Sequence, residues 1–260
     1  MKKWFLIILG AMVALVVLVV GGLWFASEPR PRGSEGQAAD ALAHSMQKAV
    51  NLEAWQQTGA VKWNFGGRHQ LLWDRIRGLV DVRWEGQRVL RSTTPGGDAV
   101  VYVNNAVISG DQAAALADTA YALFCNDSFW LNPVAHLFDE GVTRQVLQRD
   151  GQDVLLVGYN SGGVTPGDAY LWRVGDDGLP KAWRMWVSII PFGGMRASWD
   201  KWITLKTGAR LSTFHDLGMN ELVISDLAGA ATLEQLVGGD DPFAPLSPGT
   251  EEPEPTSMPH

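Results

Sequence analysis

The chain starts with Lys2 and Lys3 and then runs uncharged from Trp4 to Ala26, "WFLIILGAMVALVVLVVGGLWFA". Coiled as a helix, a run of this length spans a bilayer core of about 30 Å, which predicts an N-terminal transmembrane signal anchor over residues 1–27. A cleaved signal peptide would have a shorter apolar region, of about 7–15 residues, closing on a small-x-small site. Here Trp24 stands two residues before Ala26, and no nearby cysteine offers a thiol to a lipid, which excludes a lipoprotein signal. The two lysines favour a cytoplasmic N-terminus. The expectation is a single-pass inner (cytoplasmic) membrane protein with its body in the periplasm or at the cell exterior.

Residues 28–37, "EPRPRGSEGQ", read as a linker, because proline and glycine interrupt regular structure and the charges favour water. Ala39, Leu42, Met46, Val50 and Leu52 then follow helical spacing. From Gly59 the period drops to two, and "AVKWNFGG", "RHQLLWD", "GLVDVRW", "QRVLRS", "AVVYVN" and "AVISG" predict a meander of antiparallel strands. "DQAAALADTAYALF" returns to helix, with Asp111 as the expected N-cap and Leu116, Ala120 and Leu123 on one face. "WLNPVAHLFDEG" predicts a second short helix. Strands resume in "VTRQVLQ", "DVLLVGYN", "AYLWRV", "KAWRMWVSII", "ASWDKWITLKTG", "ARLSTFHD" and "LVISD". Residues 240–260 are acidic, rich in proline and poor in apolar side chains, so they predict a disordered tail and a possible docking segment for a partner protein.

The predicted fold is mainly β with a few helices (α+β), occupying residues 38–239. So many strands imply a large curved antiparallel sheet or half-open barrel, because a wide sheet curls and its apolar face needs a cover, which the helices supply. A transmembrane helix would precede it. About 200 residues bury an ample core without disulfides; the single cysteine, Cys125, reads as a small buried hydrophobe. The net charge of -7, with no basic stripe, excludes nucleic acid as the expected partner.

This order of elements behind a membrane-targeting segment resembles the lipoprotein-carrier (LolA-like) superfamily over roughly residues 38–230. The resemblance implies a half-barrel whose concave face holds acyl chains under a helical lid, with an arginine inside the cavity that helps gate the lid. No position of this sequence is matched to that arginine. The long anchor departs from the soluble carrier and suits a tethered acceptor or sensor.

Ten of the twelve tryptophans lie within the domain. Aromatic rings bury large areas and carry polar tips, so this density predicts either an aromatic-lined cavity for a lipid or other hydrophobic small molecule, or a barrel filled by its own rings. Trp63, Trp73, Trp84 and Trp172 are the candidate lining residues. Trp183 and Trp186, three apart, point to opposite faces of a regular strand, as do Trp199 and Trp202. His69, His136 and His215 stand near aspartates, yet none has a recognised metal-ligand spacing. An envelope metal hydrolase built on them is the alternative reading, with each histidine otherwise a hydrogen-bonded, half-buried side chain. Asn126, Asp127 and Ser128 read as helix-end caps. No nucleophile elbow, phosphate loop or cofactor motif is present. In "YNSGGVTPGDAYLWRV" strands flank the glycines, so the stretch predicts a hairpin loop. Thr165 and Asp168 are its candidate rim residues.

Overall fold

The computed structural model describes residues 27–161 and 164–246, together with Trp4 and Met12. Most of the predicted anchor, the tail from residue 247, and Gly162 and Gly163 lie outside the described residues. Among the described residues no helix is long and apolar enough to cross a membrane.

The elements follow the anticipated order. Helices α1 (Gln37–Ala49) and α2 (Leu52–Gln57) lead into β1 (Ala60–Phe65), β2 (His69–Asp74), β3 (Leu79–Trp84), β4 (Gln87–Ser92), β5 (Ala99–Val103) and β6 (Ala106–Ile108). Helix α3 (Asp111–Leu131) and a 3-10 turn at Pro133–His136 follow. The second strand series is β7 (Val142–Arg149), β8 (Gln152–Tyr159), β9 (Ala169–Val174), β10 (Pro180–Trp186), β11 (Met195–Ser198), β12 (Asp200–Thr204), β13 (Arg210–Asp216) and β14 (Glu221–Ala230). Helix α4 (Leu233–Val237) and a 3-10 turn at Ala244–Leu246 come last. Asp111, expected as an N-cap, is instead the first helical residue of α3, and Gly110 takes the preceding position.

The fold is mainly β, as predicted, but the strands form two antiparallel sheets rather than one. Their orders are β12-β13-β14-β1-β2-β3-β4-β5-β6 and β11-β10-β9-β8-β7. The stretch "ASWDKWITLKTG", which alternation reads as one strand, breaks at Trp199. Its first half pairs with β10, and its second half joins β13, where Ser212 and Thr213 donate their hydroxyls to the carbonyls of Asp200 and Lys201. A strand that changes sheets at a bend is a standard corner of two-sheet β proteins.

Two compact units result. In the unit formed by Met1–Leu52, Trp130–Ile203 and Arg210–Val223, α1 buries Ala39, Ala43 and Met46 and packs on β7 and β8. Asp40 reinforces this contact by accepting from Arg144 on β7 at 2.7 Å. The segment expected to be a linker is bound along the opposite face. Trp186 Nε1 donates to the Glu28 carbonyl at 2.7 Å, and Ser34 exchanges backbone hydrogen bonds with Val146 on the free edge of β7. A Cβ on Gly33 of the strap would stand 2.5 Å from the Val146 carbonyl oxygen, so that position needs glycine, and the Arg30 side chain of the strap lies over Gly158 of β8.

The other unit comprises Glu53–Phe129, Thr204–Ala209 and Ile224–His260. Its strand β1 pairs with β14 across a bulge: Lys62 and Asn64 oppose Ala228 and Ser225, leaving the extra residue on β14, where Asp226 has φ 53°. In residues 240–246, the start of the predicted tail, Asp240, Asp241, Ala244 and Pro245 are exposed while Phe243 anchors the segment. The last 3-10 turn lies against β4 and β5, Arg77 pairs with Asp241, and Phe243 is fully buried. Phe243→Ala is expected to cost about 3 kcal/mol of stability, measured by urea unfolding; a loss under about 0.5 kcal/mol would show that the ring contributes no packing.

Candidate ligand-binding site

Cross-strand register places three of the four candidate tryptophans together. Val61, Trp63 and Phe65 on β1 stand opposite Trp73, Leu71 and His69 on β2. Trp73 and Leu71 in turn face Val80 and Val82 of β3, with Trp84 two residues further on. Alternation therefore puts Trp63, Trp73 and Trp84 on one face of the sheet. Trp63 is buried, whereas Trp73 and Trp84 are half-buried.

Helix α3 covers this face. Phe124 meets Trp73 edge-on with centroids 5.1 Å apart, and Asp127 Oδ2 lies 2.8 Å from His69 Nδ1. Between Asp111 and Phe129 the buried positions are Ala120, Phe124 and Asp127, which share a helix face at spacings of four and three. That face offers a methyl, a ring and a carboxylate, where a core helix carries a continuous apolar stripe. Burial raises the Asp127 pKa above the ordinary carboxylate range, opposed by hydrogen bonds from the Asn126 amide and from His69. Asp127 was expected to cap a helix end; it lies inside α3, which runs on to Leu131, so backbone groups there already have helical partners. Its place seven residues after Ala120 was the sequence signal that it belongs to the buried face.

Two arginines tie helical backbone to the same face. Arg91, nearly fully buried, donates to the carbonyl of Ala117 in α3 at 2.5 Å and to those of Ser92 and Thr94. Its guanidinium lies 4.6 Å from the Tyr121 ring centroid. Arg75 donates to the carbonyls of Trp55 and Thr58 and lies over the rings of Trp55 and Trp73. Cys125 sits beside Tyr121 with its pKa raised by burial, so its thiol stays protonated.

Trp172 lies in the other unit, apart from the first three. Its ring is 0% exposed, with Trp183 at 4.7 Å and Trp199 at 5.2 Å. Trp130, Tyr170 and His215 complete an aromatic cluster of the protein's own side chains. Trp202, whose indole donates to the Trp199 carbonyl, joins it at 6.2 Å because the chain bends at Trp199. Trp183 faces this cluster and Trp186 faces the strap, as their spacing requires.

The hairpin loop between β8 and β9 is formed as the sequence indicated. Thr165 Oγ1 donates to Asp168 Oδ2 at 2.7 Å, and Asp168 Oδ1 accepts from the Ser188 N–H at 2.9 Å. Asp168 thereby pins its loop to the β10–β11 loop. It also lines an open, apolar cleft of about 420 Å³ with Pro166, Trp186, Val187, Ile190 and Phe192.

Each histidine near an aspartate has its own local partner. His69 meets Asp127, His136 meets Asp139 at the surface, and the His215 Nδ1–H donates to the Ser198 carbonyl at 2.9 Å. Among the described residues no group of three or more His, Cys, Asp or Glu side chains is placed to hold a metal ion. No protein-family model matches the chain, and no curated protein matches it.

Burial in the aromatic cluster lowers the His215 pKa from 6.5 to about 4, so the folded protein holds a neutral imidazole. The unfolded chain takes up a proton below about pH 6.5 and the folded chain only near pH 4. The stabilisation is therefore complete above pH 6.5 and is lost as the pH falls through 4, amounting to about 3 kcal/mol. Urea unfolding of wild type and His215→Gln between pH 7 and pH 4 should show the wild type losing that much more stability; parallel pH profiles would contradict it.

Proposed function

We propose that this is a membrane-anchored extracytoplasmic protein that binds a lipid, or the acyl chain of a lipoprotein, between α3 and the aromatic face of β1–β4, without catalysing a reaction. Residues 1–27 hold it in the membrane, and Trp63, Trp73 and Trp84 line the site. The observation that carries this reading is how α3 is attached. Its hold on the face includes the Phe124–Trp73 edge contact, the His69–Asp127 pair, the Arg91 hydrogen bond to Ala117 and the Arg91 contact with the Tyr121 ring. Polar links of this kind exchange for water with a small net cost, about 1 kcal/mol each, whereas an apolar stripe does not. A helix held in this way acts as a lid. An acyl chain sliding beneath it replaces lost contacts at about 0.8 kcal/mol per buried methylene. The resemblance to the lipoprotein-carrier superfamily implies the same kind of site, and Arg91 links α3 to the sheet without being matched to that family's gating arginine.

Native mass spectrometry of the full-length protein extracted in mild detergent is expected to show a co-purified lipid. Trp73→Ala together with Trp84→Ala should weaken binding of a fluorescent fatty-acyl probe about 10-fold, a loss of about 1.4 kcal/mol. A protein that carries no lipid and leaves the probe unbound would refute the reading. Asp127→Ala leaves His69 without its partner and should cost about 2 kcal/mol, with hydrogen exchange in 111–129 accelerating; unchanged exchange there would show that the pair does not fasten the lid.

A further inference from the structure

We propose a second site, for a phosphate group, in the arginine-lined cleft on the strap-bearing face of β7–β11. The side chains come from adjacent strands and share one face. Arg184 on β10 stands directly opposite Arg196 on β11. Arg173 on β9 pairs with Ala182 and is thus the diagonal neighbour of Arg184, and Arg149 closes the far end of β7. Together they line a cleft of about 200 Å³ over an apolar floor of Val154, Leu171 and Ala182.

Charge balance makes the arrangement costly unless something else occupies it. Like charges directly opposite on a sheet repel, and here four guanidinium groups meet two carboxylates, Asp150 in the cleft wall and Glu28 on the strap. Glu28 accepts from Arg149 and Arg184. The side chains of Arg173 and Arg196 have no hydrogen-bond or ion-pair partner among the described residues, and both residues are exposed. An excess of two positive charges is thus concentrated in one cleft of a protein whose net charge is -7. Planar, many-donor guanidinium groups match phosphate oxygens in pairs, and the cleft has room for one phosphate with a small substituent. Glu28 accepts from Arg149 at one end and from Arg184, which stands between Arg173 and Arg196; those two flanking side chains provide the free donors. The site is independent of the aromatic face under α3.

Free phosphate and a phospholipid headgroup share this chemistry, so the test separates them. The detergent-solubilised full-length chain is titrated calorimetrically at fixed ionic strength with inorganic phosphate, then with micelles doped with phosphatidylglycerol or, as the phosphate-free control, diacylglycerol. One-to-one uptake of inorganic phosphate, weakened at least 10-fold (about 1.4 kcal/mol) by Arg173→Gln with Arg196→Gln, establishes a site for free phosphate. Uptake of phosphatidylglycerol alone, weakened by the same pair of substitutions, assigns the site to a headgroup. Absence of both, or uptake unchanged in the double variant, overturns the proposal. Because both arginines are exposed, the unliganded variant should melt no lower than wild type; Arg173→Gln alone repeats the comparison with one donor removed.

Discussion

A β-sheet with an apolar face must keep that face from water, and this chain meets the demand with covers of very different chemistry. Helix α1 covers one face of β7–β11 with Ala39, Ala43 and Met46 packed below exposure. The strap at residues 27–34 crosses the opposite face by backbone and indole hydrogen bonds. In the second unit, α3 covers the aromatic face through a carboxylate, a ring and an arginine link. The first cover resembles a permanent core, whereas the third combines half-buried apolar side chains with a carboxylate–histidine pair and an arginine link.

The tryptophans divide along the same line. Around Trp172 they pack against one another and against a neutral histidine, filling space with their own rings. On the face under α3, Trp73 and Trp84 are only half-buried. The aromatic side chains thus occupy two settings in one chain, a self-packed cluster and a half-buried sheet face beneath α3.

Much of this was legible along the chain because the relevant physics is local. Periods of 3.6 and 2 reported the order of helices and strands. Strands on both sides of "NSGGVTPG" marked the loop as a hairpin. The bend at Trp199 was hidden because both halves of "ASWDKWITLKTG" keep strand-like composition, and only their partners differ. Asp127 was misread as a cap because its polar neighbours in "CNDS" imitate a helix end, while the helix continues to Leu131.

The sequence by itself determined the apolar N-terminal run, the succession of elements, the faces within each strand and the lack of familiar catalytic motifs, since each depends on residues a few positions apart. Only the tertiary structure decided that there are two sheets and that Trp172 keeps company with Trp183 and Trp199. The same holds for the meeting of His69 with an aspartate 58 positions away and for Arg173, Arg184 and Arg196 forming one row. Those outcomes depend on which strands pair and in what register, and pairing is fixed by burial summed over the whole chain rather than by any local stretch of it.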